Sequence, residues 1–320
     1  MSVSDTGTRL EDVRAARDAI GGRLHRTPML TSATLSEQTG ARIHLKAELF
    51  QKTGSFKVRG VLTNLAALSP DERERGVISI SAGNHAQALA WGAREEGIDA
   101  LLVMWKGASE AKIEATRAYG AQVDLETSSP AEAFERLAQL EEETGRTLVH
   151  AFDHPLTIAG QGTVGLEIVE DLPDAEVLVV PIGGGGLISG IGVAAEGRRV
   201  IGVEPELSRA MYEALAAGEP VQVEPASIAD GLSPPFAGQR CLEICQELVE
   251  RVVLLTEDEI EEGMRFCYRT AKLAVEPAGA AAVAALLAGK VPLSPGETAV
   301  AVVSGGNVAT QTAVAILAGR

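Results

Sequence analysis

Short aliphatic and β-branched runs, apolar at consecutive positions, recur between longer alanine-rich stretches along most of the chain. A strand with one face in water alternates apolar and polar residues. A strand that is apolar throughout must be covered on both faces. Residues 100–103, 177–180, 200–203, 252–255 and 299–303 predict such strands, and 42–45 and 77–80, which carry Arg42, His44 and Ser79 among apolar residues, predict two more. Residues 87–96, 131–143, 166–171, 187–195 and 259–270 predict helices between them. Strand–helix alternation of this kind predicts an α/β fold built on parallel sheet. A chain of 320 residues suits roughly two domains, but no Gly/Ser linker marks a boundary and no repeat divides it.

Charge narrows the partners. Lys and Arg total 28 against 44 Asp and Glu, a net charge of −16, and aromatic residues make up 3%. That balance disfavours a nucleic-acid backbone or an anionic membrane surface, and offers few rings for stacking on bases. The first 22 residues mix charges without an apolar segment, which is not a secretory leader. The apolar run 278–289 is too short to span a bilayer. Cys241, Cys245 and Cys267 are an odd number and form no C-x-x-C. They predict small buried thiols in a reducing, cytoplasmic setting, with Cys241 and Cys245 on one helix face.

Four stretches can carry chemistry. Gly183, Gly184, Gly185 and Gly186 follow the apolar run VLVVPI and precede a predicted helix. Glycines admit close backbone approach, and free N–H groups at a helix start attract anions, so this junction suits a phosphate. It lacks the GK[ST] ending of a nucleotide loop. Ser81, Ala82, Gly83, Asn84 and His85 join the run VISI to another helix, where N–H groups suit a carboxylate as well as plain capping. Ser304 ends the run TAVAVV, at the end of a parallel strand where α/β proteins bind ligands. Lys57 lies between Phe56 and Val58; partial desolvation there lowers its pKa and frees the amine as nucleophile or base.

Other constellations carry less. A G-x-G-x-x-A match at 190–195, with Glu204 at the end of the next strand, would suit a dinucleotide. It begins inside a predicted helix, past the turn that would face a pyrophosphate. His150 and His154 lie four apart, but no HExxH accompanies them.

Taken in order, HRTPML at 25–30, GSFK at 54–57, SAGNH at 81–85, GGGG at 183–186 and SGGN at 304–307 resemble the fold-type II pyridoxal-phosphate enzymes. The resemblance is to the branch of serine/threonine dehydratases and serine racemase. It implies the two-domain, parallel-sheet fold of the tryptophan synthase β kind. Residues 1–47 and 148–320 would form a large cofactor-binding domain, and residues 48–147 a small mobile one carrying Lys57 and the 81–85 loop. Lys57 and Ser81 are then the expected catalytic residues, Lys57 as Schiff-base lysine and general base. The cofactor, pyridoxal 5′-phosphate, would meet Phe56, Asn84, the phosphate cradle of Gly183, Gly184, Gly185, Gly186 and Leu187, and Ser304 at its ring nitrogen. Glu276, placed near the cofactor by the same resemblance, equally reads as a helix start before Pro277. Residues 81–85 would hold the substrate carboxylate. Glu204 and Ser208 are the candidate cation ligands, weakened because Ala210 stands where a further carboxylate is expected.

The implied reaction is β-elimination from L-threonine or L-serine to a 2-keto acid and ammonia, by a homodimer. Racemisation needs a second acid–base group, and Ala82 stands where racemases of this family have a serine. The alternatives are a serine racemase or a 3-hydroxyaspartate dehydratase; outside the family, an NAD-linked oxidoreductase or a non-catalytic amino-acid binder. No carboxy-terminal regulatory domain is expected after SGGN.

Overall fold

The computed structural model describes residues 7–319; the first six residues of the charged amino-terminal segment lie outside the described residues. The strands are β1 (Met29–Thr31), β2 (Arg42–Ala47), β3 (Val77–Ile80), β4 (Ala100–Trp105), β5 (Gln122–Thr127), β6 (Thr147–Leu148), β7 (Val177–Pro181), β8 (Arg199–Pro205), β9 (Arg251–Leu255) and β10 (Thr298–Val303). The helices run, in chain order, α1 (Leu10–Ile20), α2 (Ala33–Thr39), α3 (Val58–Ala66), α4 (Pro70–Arg75), α5 (Asn84–Glu95), α6 (Glu110–Ala118), α7 (Pro130–Thr144), α8 (Pro155–Asp171), α9 (Gly186–Ala194), α10 (Ala210–Ala217), α11 (Gln239–Leu248), α12 (Glu257–Phe266), α13 (Pro277–Leu287) and α14 (Thr310–Ala318). None of them, among the described residues, is long and apolar enough to cross a membrane.

The strands form two sheets among the described residues. One has the order β1-β2-β10-β7-β8-β9 and is parallel except for β1. The other, β5-β4-β3-β6, is parallel throughout. The reason the central strands read as unbroken apolar runs is visible at β7. Val177 and Val179 enter a core shared with α12 and α13. Leu178 and Val180 point the other way, into a core shared with α8, α9 and α11. Successive side chains take opposite faces, and both faces are covered. The smaller sheet does the same: Val77 packs with α3 and α5, Ile78 with α7.

Three strands carried no such signal. β1 and β6 are three and two residues long, and β5, an edge strand, keeps most of its residues partly exposed.

The helix expected at 166–171 is in fact α8, which begins at Pro155. Its glycines conceal a helix from propensity alone, but here they allow close packing. Gly162 lies against Gly190 of α9, where a Cβ would fall 2.7 Å from the Gly190 carbonyl oxygen. A methyl at Gly190 itself would overlap the Ile158 carbonyl. Thus Gly190 of the G-x-G-x-x-A match packs α9 onto α8, and Gly192 faces Leu248 of α11, where a Cβ would fall 3.3 Å from the Leu248 Cβ.

Gly190→Ala should therefore destabilise the protein by about 1–3 kcal/mol through overpacking, read as a lower urea midpoint. Gly22→Ala, where a Cβ meets nothing within 4 Å, should shift it by less than about 0.5 kcal/mol.

Candidate active site

In the larger sheet β7 and β10 are neighbours, yet the chain leaves them towards opposite faces: α9 joins one core and α14 the other. A crevice opens beyond the carboxyl ends of two strands that diverge in this way. The glycine run ends β7, and Ser304 ends β10. The smaller sheet brings residues 81–85 to the same place from the end of β3. Together they line a cavity of about 660 Å³ that also contains Lys57, Phe56, Leu187 and Glu276. Every cofactor and carboxylate residue expected from the sequence lines this one cavity.

Lys57 caps the amino end of α3, and its loop is sewn to the loop after β10. The N–H of Phe56 donates to the Ser304 carbonyl at 3.2 Å, and that of Gly306 to the Gly54 carbonyl at 2.9 Å. The Lys57 ammonium donates to the Ala151 carbonyl at 3.0 Å and lies 5.3 Å from the Phe56 ring centroid. Burial pushes its pKa down to about 8, against a smaller upward pull from Cys241 and Glu276.

The glycine run turns through Gly185, whose φ of 103° is left-handed, a conformation glycine adopts without strain. A Cβ there would fall 2.5 Å from the Cβ of Cys241, and one on Gly184 would overlap the Phe152 ring. The first N–H groups of α9 have no partner within the helix and face the cavity with the positive end of its dipole.

Asn84 sits in a directed chain of hydrogen bonds. Asn307 Nδ2 donates to Asn84 Oδ1 at 2.8 Å and to the Thr53 carbonyl at 2.7 Å. Asn84 Nδ2 donates to Glu276 Oε1 at 2.6 Å. Glu276 is both the residue before α13 and a group lining the cavity, so a helix start and a place in the cavity are compatible. Burial, with Asp230 nearby, raises its carboxyl to about 7.

His85 is buried beside Lys57, and burial followed by that positive neighbour lowers its pKa to about 3. Its Nε2 lies 3.0 Å from the Val149 carbonyl and 3.0 Å from Ser79 Oγ. A carbonyl only accepts, so Nε2 carries the proton and Nδ1 is a bare acceptor. Nδ1 is buried with no partner among the described residues. Ser81 Oγ accepts from the Gly83 N–H at 3.1 Å, which shapes the loop. Ser304 Oγ donates to the Ala278 carbonyl at 3.5 Å.

The candidate cation ligands lie elsewhere. Both Glu204 oxygens accept backbone N–H groups at the start of α10, from Met211 and Tyr212, each at 2.8 Å. Burial raises this carboxyl to about 8, against those two donors, which favour its charged form. Ser208 Oγ donates to the Leu232 carbonyl at 3.2 Å. Among the described residues no group of three or more His, Cys, Asp or Glu is placed to hold a metal ion. Cys241 and Cys245 share the buried face of α11, as their spacing predicts, and all three cysteines are unpaired.

Sequence reasoning gave no role to Asn307, Trp105, Lys112, Phe134, Phe152 or Asp230. Asn307 lay within a recognised motif, and its amide was the available signal. The others line the cavity from scattered elements, and nothing in local spacing marks them.

A family model for pyridoxal-phosphate dependent enzymes matches residues 21–305. The chain is 45% identical over 304 residues to an L-threonine ammonia-lyase of Thermotoga maritima, covering 93% of this chain and 75% of that protein. It is 40% identical over 310 residues to the catabolic L-threonine dehydratase of Escherichia coli, covering 95% and 94%. Among solved structures, maize serine racemase superposes with a TM-score of 0.91 at 34% identity, covering 96% of this chain and 95% of that one. The cavity fits the cofactor of that family. It offers an amine with a lowered pKa, a glycine cradle at a helix start, and the polar side chains of Asn84 and Ser304 between them.

Burial of Lys57 has a consequence for stability with nothing bound. Below about pH 8 the folded protein holds an ammonium that burial penalises. Between about 8 and its ordinary 10.5 the unfolded chain binds more protons, so wild-type stability rises with pH. Lys57→Met should therefore stabilise the cofactor-free protein by roughly 3 kcal/mol at pH 7, a gain that shrinks as pH approaches 10.5. Urea midpoints at pH 7 and 10 test this; an equal gain at both would place the cause in packing.

Proposed function

The chain belongs to the pyridoxal-phosphate-dependent enzymes, and we propose that within them it is an ammonia-lyase that converts L-threonine to 2-oxobutanoate and ammonia. L-Serine, giving pyruvate, is the second substrate. The observation that carries this reading is the meeting of Lys57, the glycine cradle, Asn84 and Ser304 in one cavity. Identity of 40–45% to proteins named for the threonine reaction supports the choice of substrate.

Bound pyridoxal phosphate supplies a carbonyl carbon that takes up the substrate amine and a conjugated ring that absorbs negative charge left at the α-carbon. The chain supplies the rest. Gly183, Gly184, Gly185, Gly186 and Leu187 hold the phosphate through backbone N–H groups at the start of α9. Asn84 and Ser304 orient the ring, and Phe56 packs beside it. The loop 81–85 holds the substrate carboxylate. Lys57, with a pKa of about 8, has a neutral fraction near physiological pH and removes the α-proton. Loss of the β-hydroxyl as water leaves an unsaturated amine, which water hydrolyses to the keto acid and ammonia.

Burial and the neighbouring Lys57 lower the His85 pKa to about 3, so near neutral pH it adds no second positive charge beside Lys57. Ala82 has no proton to give from the far face of the substrate, which favours elimination over racemisation.

We assign residues 48–147 to the smaller, mobile domain and residues 1–47 with 148–320 to the larger. The strands of the smaller sheet span residues 77–148, one residue beyond that division. Three unpaired, buried cysteines support a reducing, cytoplasmic setting, and the family resemblance supports a homodimer. No cation is assigned.

The test is keto-acid release from L-threonine by the cofactor-loaded protein. Wild type should release keto acid and ammonia in equal amounts. Lys57→Ala should lower the rate by about 10²–10⁴-fold or more and lose the visible absorbance of the bound cofactor. A Lys57→Ala variant with wild-type turnover would sink the assignment.

A further inference from the structure

The cavity has one wall that the expected cofactor and carboxylate residues leave open. Phe134, on α7, and Phe152, before α8, both line it, together with Trp105, Pro130, Pro234 and Pro235. Phe236 stands behind them and joins the two. Its ring centroid is 5.8 Å from that of Phe134 and 6.0 Å from that of Phe152. Both separations are those of attractive aromatic pairs. Phe134 belongs to a helix on the smaller sheet, whereas Phe152 packs on the glycine run of the larger one. The three rings therefore continue one apolar surface from one side of the cavity to the other.

We propose that Phe134 and Phe152 form the specificity wall that receives the substrate's β-substituent. This inference rests on the ammonia-lyase reading above. With the carboxylate at residues 81–85 and the amine directed to Lys57, the remaining substituent faces the wall that is left. That wall is aromatic and proline-lined, and it gains contact from each added methyl group. L-Threonine, with its methyl, is then favoured over L-serine. An acidic substituent is rejected. Apart from Lys57, the lysine lining the cavity is Lys112, and Lys112 is paired with Asp230. Among the described residues that line the cavity, none but Lys57 is a lysine or arginine left without a carboxylate partner for a second carboxylate to meet.

The experiment compares kcat/KM for L-threonine, L-serine and L-3-hydroxynorvaline in the cofactor-loaded wild type and Phe134→Ala. One methylene in an apolar pocket discriminates by about tenfold or more, so the threonine-to-serine ratio should fall by about tenfold in the variant. 3-Hydroxynorvaline should rise relative to threonine. Phe134→Leu keeps the wall apolar and should hold the threonine-to-serine ratio within about threefold of wild type. Equal losses for all three substrates would make Phe134 merely structural and overturn the proposal, as would a wild type that prefers 3-hydroxyaspartate to threonine.

A second readout does not need turnover. Titration of the cofactor's visible band should show Phe134→Ala weakening L-2-aminobutyrate more than L-alanine, and an equal effect on both would again overturn the wall. If wild type releases no keto acid from any substrate, the ammonia-lyase reading fails, and this titration decides the wall by itself.

Discussion

Lys57 depends on a buried set of charges that never touches the cavity. Two residues after it, Arg59 is almost fully enclosed and donates to Glu48 at 2.8 Å through two nitrogens and to Glu167 at 2.7 and 3.0 Å. Lys46 donates to the same Glu167 at 2.6 Å. Lys46 also pairs with Asp171 at 3.8 Å, so each buried cation faces two carboxylates, and Thr27 and Thr163 satisfy further atoms. Such a network adds little net stability over an apolar core, but losing one member leaves an uncompensated charge and costs about 3–5 kcal/mol. Its value is placement. The apolar face of α3 packs into the core of the smaller sheet, through Val58, Val61, Leu62 and Leu65. Arg59 ties the same helix to Glu48, just after β2, and to Glu167 of α8, elements of the larger sheet. The amine at its first turn is thereby held where the two sheets meet.

Burial does the electrostatic work inside the cavity. It pushes Lys57 down, His85 down and Glu276 up, each towards its neutral form, as desolvation requires. For Lys57 the effect is chemical, since a neutral amine can attack and can take a proton. For His85 it removes a competing charge. Glu276, at about 7, accepts from an Asn84 amide whose orientation Asn307 fixes: the amide oxygen of Asn84 faces the Asn307 donor, so its N–H points to the carboxylate. The SGGN stretch therefore contributes its last residue as well as its serine.

Much of this was legible in the chain because the signals were local. A strand buried on both faces is apolar at nearly every position, and β7 and β10 were found by that rule; β3 departs from it only at Ser79. A lysine after an aromatic residue, a glycine run between strand and helix, and a serine at a strand end can be read within ten residues. What escaped depends on partners distant in sequence. The glycines of α8 look like helix breakers until Gly190 of α9 is seen against Gly162. β5 is polar because it is an edge. Phe134 and Phe152 are unremarkable until Phe236 brings them together. Glu276 was ambiguous for the same reason: a carboxylate before Pro277 is an ordinary helix start, and Asn84, which makes it part of the site, lies 192 residues away.

The division of labour between the sheets follows from these placements. The phosphate cradle and Ser304 end neighbouring strands of the larger sheet, whose central strands are enclosed on both faces. A substitution there disturbs a close-packed interior. The 81–85 loop and Phe134 belong to the smaller sheet, and Phe134 is only half-buried on the surface of α7. A side chain so placed can change size without repacking a core. On the proposed reading, cofactor binding falls to the element least tolerant of change, and of the two rings of the specificity wall Phe134 is the one free to change, since Phe152 packs on the glycine run.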